Sequence, residues 1–306
     1  MKLSVLGSLN MDFVYYVSRL PKEGETLLAE DNAKFPGGKG ANQAVAAARL
    51  GSDVKMIGAV GDDDLGDSLL ESLQKESIDI SGVKQMTDIN TGNAFITVDS
   101  KGNNTILVYS GANSKVDLKW VDNFKKDIRE SDFLLTQLET PLDIVTKGIE
   151  LAFDVGTKVV LNPAPGLTLP NELLEKVYLL TPNQTELSII SGREIKTDDD
   201  LITASRSLID LGVQNVVVTL GSKGALHIDK TSYTFIESFN VNAIDTTAAG
   251  DSFTAGLTFG IWRGKSIKEA LQYASAVSAL TVIKEGAQSS LPTANQVEMY
   301  LEKGEI

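Results

Sequence analysis

The sequence contains no cysteine and a single histidine, His227. The first absence removes disulfides and thiolate chemistry. The second removes any histidine metal cluster. Positive charge is also scarce: 28 Lys and Arg stand against 41 Asp and Glu, a net charge of −13. A general nucleic-acid binder needs a basic face, so no nucleic-acid partner is expected, although one local basic site for an anion stays open. Long apolar runs are missing. No stretch approaches the roughly 20 apolar residues of a membrane span. The opening MKLSVLGSLNMDF has too short an apolar run for a signal peptide. The expectation is a cytoplasmic protein with no membrane partner, so the sequon NQT at Asn183 carries no weight. No repeat, low-complexity tract or Pro-rich linker interrupts the chain. His227 sits in the alternating run GALHID and reads as a partly exposed strand residue. The C-terminal KGEI reads as frayed.

What is present is a 306-residue chain with 42% hydrophobic residues, enough for a substantial core in one large or two modest domains. Short β-branched runs recur at LSVLG, VKMIGAV, DFLLTQL, KVVLN, YLLT and NVVVTLG. They are apolar on both alternations, as strands buried on both faces of a parallel sheet are. Helix-like segments lie between them: ANQAVAAARLG, DLGDSLLESLQKE, PLDIVTKGIELAF, TELSIISG and LITASRSLIDLG. The alternation predicts an α/β fold, an open, mostly parallel sheet with helices on both faces. Ligands of such sheets bind at the carboxyl ends of the strands.

Two stretches break the rhythm. Asp12 to Pro36 reads as short strands and turns, and Thr91 to Asn113 as a hairpin around a polar, glycine-containing turn. The expectation is that residues 12–36 and 91–113 form a small β-sheet lid over a core made of 1–11, 37–90 and 114–306. The open edge of such a sheet suits pairing with a second copy, hence a homodimer.

Four stretches carry chemistry. In DTTAAGDSF, from Asp245 to Phe253, small residues open an apolar helix, FTAGLTFGIW. Unpaired amides and the helix dipole make that start an anion site suited to phosphate. Asp251 would stand beside the anion, where a carboxylate is useful as a base that takes the proton of an attacking hydroxyl. An ordinary Asp N-cap is the other reading of the same residues. In PGGKGANQAVAAARLG, Gly37, Gly38 and Gly40 make a flexible loop, Ala41 begins a helix, and Lys39 and Asn42 are polar groups at its mouth. Neither a Walker loop nor a GxGxxG fingerprint is present. Asn10 and Asp12 form another hydroxyl-binding pair after the first strand. For each of these polar residues alone, turn chemistry is the competing account. In TPNQTE, Asn183 and Glu186 share a face, so Glu186 can orient Mg²⁺ through waters, or the pair can form a capping box. TLGSKG, Thr219 to Gly224, offers close backbone approach at a strand end.

Together these stretches resemble the PfkB-type, ribokinase-like carbohydrate kinase family, along the whole chain and in order. The resemblance rests on the paired-glycine signature GGKGANQAVAAARLG and the C-terminal signature DTTAAGDSF. The segments GSLNMD, GGKGANQA, QLETP, NPAP, TPNQTE and EGAQSSLP point to the ribokinase branch. It implies an ATP-dependent kinase that phosphorylates D-ribose at O5, with another small sugar such as deoxyribose or fructose, or a catalytically silent sugar-binding protein, as alternatives. By the same resemblance Asn10, Met11, Asp12, Gly38, Lys39, Gly40, Ala41, Asn42 and Glu139 would form the sugar site. Asp251 would be the base, touching the acceptor hydroxyl, and Ala248, Ala249 and Gly250 the amide nest. ATP would be contacted by Asn183, Thr219, Leu220, Gly221, Ser222, Lys223, Gly224, Gly250 and Ser275, with Glu186 serving Mg²⁺. A monovalent cation, K⁺, would be held by Asp245, Thr247, Thr281, Lys284, Gly286 and Ser290. Two departures stand out: many relatives in the wider family carry Gly where this chain has Ala248, and the helix near Ser275 matches weakly.

Overall fold

A computed structural model describes residues 1–304. Nine strands form the main sheet, in the order β13-β12-β11-β10-β9-β8-β1-β4-β5. They are β1 (Lys2–Leu6), β4 (Asp53–Gly61), β5 (Asp79–Met86), β8 (Phe133–Thr136), β9 (Lys158–Leu161), β10 (Leu179–Leu180), β11 (Asn215–Thr219), β12 (Ala225–Ile228) and β13 (Tyr233–Ile236). All six expected runs are parallel strands. The sheet separates two apolar layers. Leu3 and Val5 enter one and Leu6 the other, as the two-residue period of a strand requires.

One strand escaped the sequence reading. β5 is an edge strand, only one of its residues buried, so it lacks the two-sided apolar run. β12 and β13 run antiparallel to their neighbours and close the other edge. His227 lies in β12 but is 1% exposed, which corrects the expectation of partial exposure. Flanked by β11 and β13, its imidazole is held by Asn215 at 3.1 Å, and burial lowers its pKa. The strand-like run TFIESFNVNAI leaves the sheet at Ile236.

Two excursions form a separate four-stranded sheet: β2 (Asn10–Val17), β3 (Asp31–Gly37), β6 (Gly92–Asp99) and β7 (Asn104–Tyr109), ordered β3-β2-β6-β7. The parallel β2–β6 pairing, with Asp12 opposite Ala94, joins the two excursions. The chain enters this sheet straight from β1, so Asn10 and Asp12 stand directly over the main strand ends.

The helix Ala249–Trp262 is buried through most of its length, and its small residues allow this. A Cβ on Gly260 would lie 3.0 Å from Ala270 Cα of the neighbouring helix Ile267–Val282. Lys303 ends the helix Ala294–Lys303 and Gly304 caps it, so KGEI begins ordered. Its last two residues lie outside the described residues.

One tie reaches from the sheet helices to the loop after Ile267–Val282. Arg49, at the end of the helix Lys39–Arg49, donates to the Gln288 and Leu291 carbonyls at 2.7 Å each. It also makes a paired contact with Glu76, at 3.1 and 2.6 Å. Arg49→Met should therefore cost about 2–3 kcal/mol in urea unfolding, the worth of one or two charge-assisted bonds. An unchanged midpoint would show those contacts to be dispensable.

Candidate active site

The main sheet reverses its strand order between β1 and β8, and ligands of such sheets bind in the crevice at that switch point. A cavity of about 620 Å³ lies there, roofed by the second sheet. Asn10, Asp12, Gly38, Lys39, Asn42 and Glu139 line one end, and Ala248, Ala249, Gly250 and Asp251 the middle. Asn183, Glu186 and Thr219 line the side toward β10 and β11.

The glycine loop is shaped by close packing. Gly38 has φ 87°, and a Cβ there would sit 2.7 Å from the Asn10 amide. That left-handed turn, costly for other residues, starts the helix Lys39–Arg49 against β1. Glu139 fixes the loop from the end of β8. Its Oε2 accepts from the Ser8 hydroxyl at 2.5 Å and the Lys39 amide at 3.1 Å.

Three carboxylates and one ammonium share this end. Burial pushes the Asp12 carboxyl up to about 7, and the charges of Glu139 and Asp251 add to it while Lys39 opposes. Asp251, followed by Glu139, Glu186 and Asp12, raises the Lys39 pKa against burial, which lowers it. Lys39 is thus a charged cation set among carboxylates.

Asp251 is 6% exposed, in the first turn of Ala249–Trp262. Both its oxygens accept amide protons: Oδ2 from Asn42 Nδ2 at 3.0 Å and Oδ1 from Gln43 Nε2 at 2.9 Å. It is not the N-cap. That position is Ala248, which makes no side-chain cap bond and has φ 60°. A non-glycine residue there is strained, and the strain turns the helix start toward the cavity. The first intrahelical bond runs from Ser252 N to Ala248 O at 2.9 Å. The amides of Gly250 and Asp251 precede it and have no carbonyl four residues back in the helix. The Ala249 amide is bonded to Thr246 O at 3.2 Å, which takes one donor from the expected nest. A Cβ on Gly250 would meet nothing within 4 Å, so this turn faces open space.

On the β10 side, Asn183 and Glu186 form a full capping box: Asn183 Oδ1 accepts from Glu186 N, and Glu186 Oε2 from Asn183 N, both at 2.8 Å. The capping reading of this pair is the one the geometry shows, and both residues also line the cavity. Burial raises the Glu186 pKa, while the Asn183 amide and Lys39 act against it. Among the described residues no group of three or more His, Asp and Glu could hold a metal.

Several expected site residues lie elsewhere. The Met11 side chain packs into the core rather than the cavity. Gly40 and Ala41 are buried beneath the loop. Leu220, Gly221, Ser222, Lys223 and Gly224 form a turn after β11, outside the cavity wall. Gly224 has φ 100°, and a Cβ would overlap the Ile236 carbonyl, so packing against β13 accounts for it. Ser275 is buried in Ile267–Val282, off the wall.

Asp245, Thr247 and Gly286 line the cavity at the base of the second sheet. Asp245 Oδ1 accepts from Thr247 N and Oγ1 at 2.9 and 2.7 Å, and Oδ2 from Gly286 N at 2.9 Å. Three of about four carboxylate acceptor sites are taken. The hydroxyls of Thr281 and Ser290 donate to Val277 O and Ala287 O. Lys284 also stands off the wall.

The sequence reading gave no role to Gln43, Gln137 or Asn162. All three sit inside motifs it quoted, but their partners are remote in sequence.

A carbohydrate kinase model, the pfkB family, matches residues 1–294. The chain belongs to the pfkB family of carbohydrate kinases. It is 42% identical to a ribokinase of Haemophilus influenzae over 300 residues, 98% of each chain. It is 37% identical to a deoxyribokinase of Salmonella typhi over the full length of both. The structure of Arabidopsis thaliana ribokinase complexed with ribose and ATP superimposes with a TM-score of 0.91 at 33% identity, covering 98% of each chain. Among the described residues no helix is long and apolar enough to cross a membrane.

Proposed function

We propose that this protein is an ATP-dependent ribokinase that phosphorylates D-ribose at O5. The observation that carries the reading is one cavity with the polar set Asn10, Asp12, Asn42 and Glu139 at one end, the capped turn of Asn183 and Glu186 at the other, and the buried Asp251 carboxylate at an open helix start between them. Asn10, Asp12, Asn42 and Glu139 bind and orient the sugar, and Lys39 balances their charge. Asp251 accepts the proton of the attacking hydroxyl; its place in the cavity beside Asn42 supports that role. The Gly250 and Asp251 amides face the charge that develops on the transferred group. The second sheet over the cavity, residues 12–36 and 91–113, acts as a lid that excludes water. Glu186 fits Mg²⁺ through a single carboxylate, because Mg²⁺ keeps most of its waters and leans on phosphates; when bound it supplies charge neutralisation there. A coupled assay over ribose, deoxyribose and fructose tests the assignment. Highest kcat/KM for ribose is expected. Preference for deoxyribose would move the protein to the chemistry named for its Salmonella relative, and no turnover with any sugar would leave a binding protein.

K⁺ is the second bound ion in this reading. The one acceptor site left on Asp245, with the carbonyls around Lys284–Gly286, fits a large monovalent ion that braces the loop below the amide nest. Exchanging K⁺ for tetramethylammonium at constant ionic strength should lower the rate, and Asp245→Ala should remove the difference. Equal rates for the unaltered enzyme would mean that the three protein bonds to Asp245 suffice.

The working unit is a homodimer joined through the lid. β7 leaves one edge unpaired and is exposed along its whole length, with Leu107 71% and Ile106 57% exposed. A long apolar edge is a liability unless it is paired. Light scattering should give twice the 32.8 kDa chain mass at micromolar concentration; a monomer with and without sugar and ATP would overturn the pairing.

A further inference from the structure

Gln43 is fully buried, lies behind the cavity wall rather than in it, and ends on the carboxylate given the role of base. Its neighbours leave it one orientation. The Thr181 carbonyl can only accept, so the Asn162 amide nitrogen must face it, at 2.9 Å. Asn162 Oδ1 is then an acceptor, turned toward Gln43. One Gln43 N–H goes to it at 3.1 Å and the other to Asp251 Oδ1 at 2.9 Å. Gln43 Oε1 is left to accept from Gln137 Nε2 at 2.5 Å. Three amides, from the ends of β8 and β9 and the helix Lys39–Arg49, thus form a polarised chain anchored on a backbone carbonyl beside β10. Thr254, one turn after Asp251, is held to the same Thr181 by its hydroxyl at 3.0 Å.

We propose that Gln43 is a positioning residue for the base: it pins Asp251 Oδ1 from beneath and so sets the plane in which Oδ2 meets the sugar hydroxyl. Buried amide chains are costly when half satisfied, and an apolar side chain of similar volume would fill the same space. Placing the carboxylate is what the polar choice achieves. Displacing a reacting group by about an ångström loses on the order of 100-fold in rate.

The inference rests on the assignment of Asp251 as base, and a double-mutant cycle separates the two. If unaltered enzyme phosphorylates ribose, Gln43→Leu should lower kcat by about 10–100-fold and leave both KM values within a few-fold. In the Asp251→Asn background the same change should cost less than about threefold, because there is no base left to place. A merely structural role would give the same loss in both backgrounds, or a lower melting temperature with kcat unchanged, and either result overturns the proposal. Gln43→Glu keeps the shape and decides the matter should Gln43→Leu not fold. It sets a second carboxylate against Asp251 Oδ1, so the acid limb of kcat should move to higher pH; an unmoved limb overturns the proposal too. Failure of the Asp251 assignment shows separately, as near-normal turnover of Asp251→Asn alone.

Discussion

Asp251→Asn is expected to bind ATP and sugar almost normally and to lose about 10²–10⁴-fold in kcat, the usual worth of a positioned general base. The structure says why binding survives. Asp251 lies in the first turn of a helix whose later residues are packed on both sides, and an isosteric amide disturbs none of that packing. The end of the cavity proposed to hold the sugar is built from other elements, β2, the glycine loop and Glu139 at the end of β8. The loss falls on turnover because the amide cannot take a proton, and its NH₂ must face Asn42 or Gln43, both of which donate to this position. Steady-state kinetics with both substrates varied gives the split. A variant that keeps more than about a third of the unaltered kcat would remove Asp251 from the role.

The fold was legible where local signals coincide with burial. Strands of a parallel sheet are buried on both faces, so β1, β4, β8 and β11 announce themselves as runs apolar on both alternations. β5 does not, because an edge strand is half solvated and its polar residues carry no such signature. The helix start at Ala249 was legible because small residues before an apolar helix are a local pattern. The polar wall at Asn10, Asp12, Lys39 and Asn42 was legible for the same reason: each group sits just after a strand or opens a helix. Met11 was misplaced by that logic, since neighbours on a strand point to opposite faces and Asp12 takes the cavity side. The amide chain under the base was not legible. Gln43 meets Gln137 and Asn162, 94 and 119 residues away, and only the closed sheet brings them together. The burial of His227 was hidden because its alternating run and the neighbouring β13, with Tyr233 and Phe235 exposed, carry the pattern of a half-solvated edge.

Asp12→Asn should stabilise the empty protein at pH 8 while it weakens sugar binding. Burial, then Glu139 and Asp251, hold the Asp12 carboxyl near 7 in the folded chain against 3.8 for the free group. Between those two values the folded state binds more protons than the unfolded one, so this group makes stability fall as pH rises. Below 3.8 both states are protonated and Asp12 contributes nothing; above about 7 its full cost is present. A displacement of about three units sets a ceiling of about 4 kcal/mol on that cost, which water entry and relaxation reduce. The neutral amide of Asn fits the same place without the charge. The melting temperature of Asp12→Asn should therefore exceed that of the unaltered protein at pH 8, by more than it does at pH 5. Sugar affinity should move the opposite way. A hydroxyl donated to a carboxylate is a charge-assisted bond worth about 1.5–3 kcal/mol, so the dissociation constant should rise by about 10–100-fold, read by calorimetry. Tighter packing of a destabilised empty site around its ligand is how a buried carboxylate can serve binding at the expense of the apo fold. A variant that melts below the unaltered protein at both pH values, with sugar affinity unchanged, would mean that Asp12 holds the second sheet to the main one and has no part in recognising the sugar.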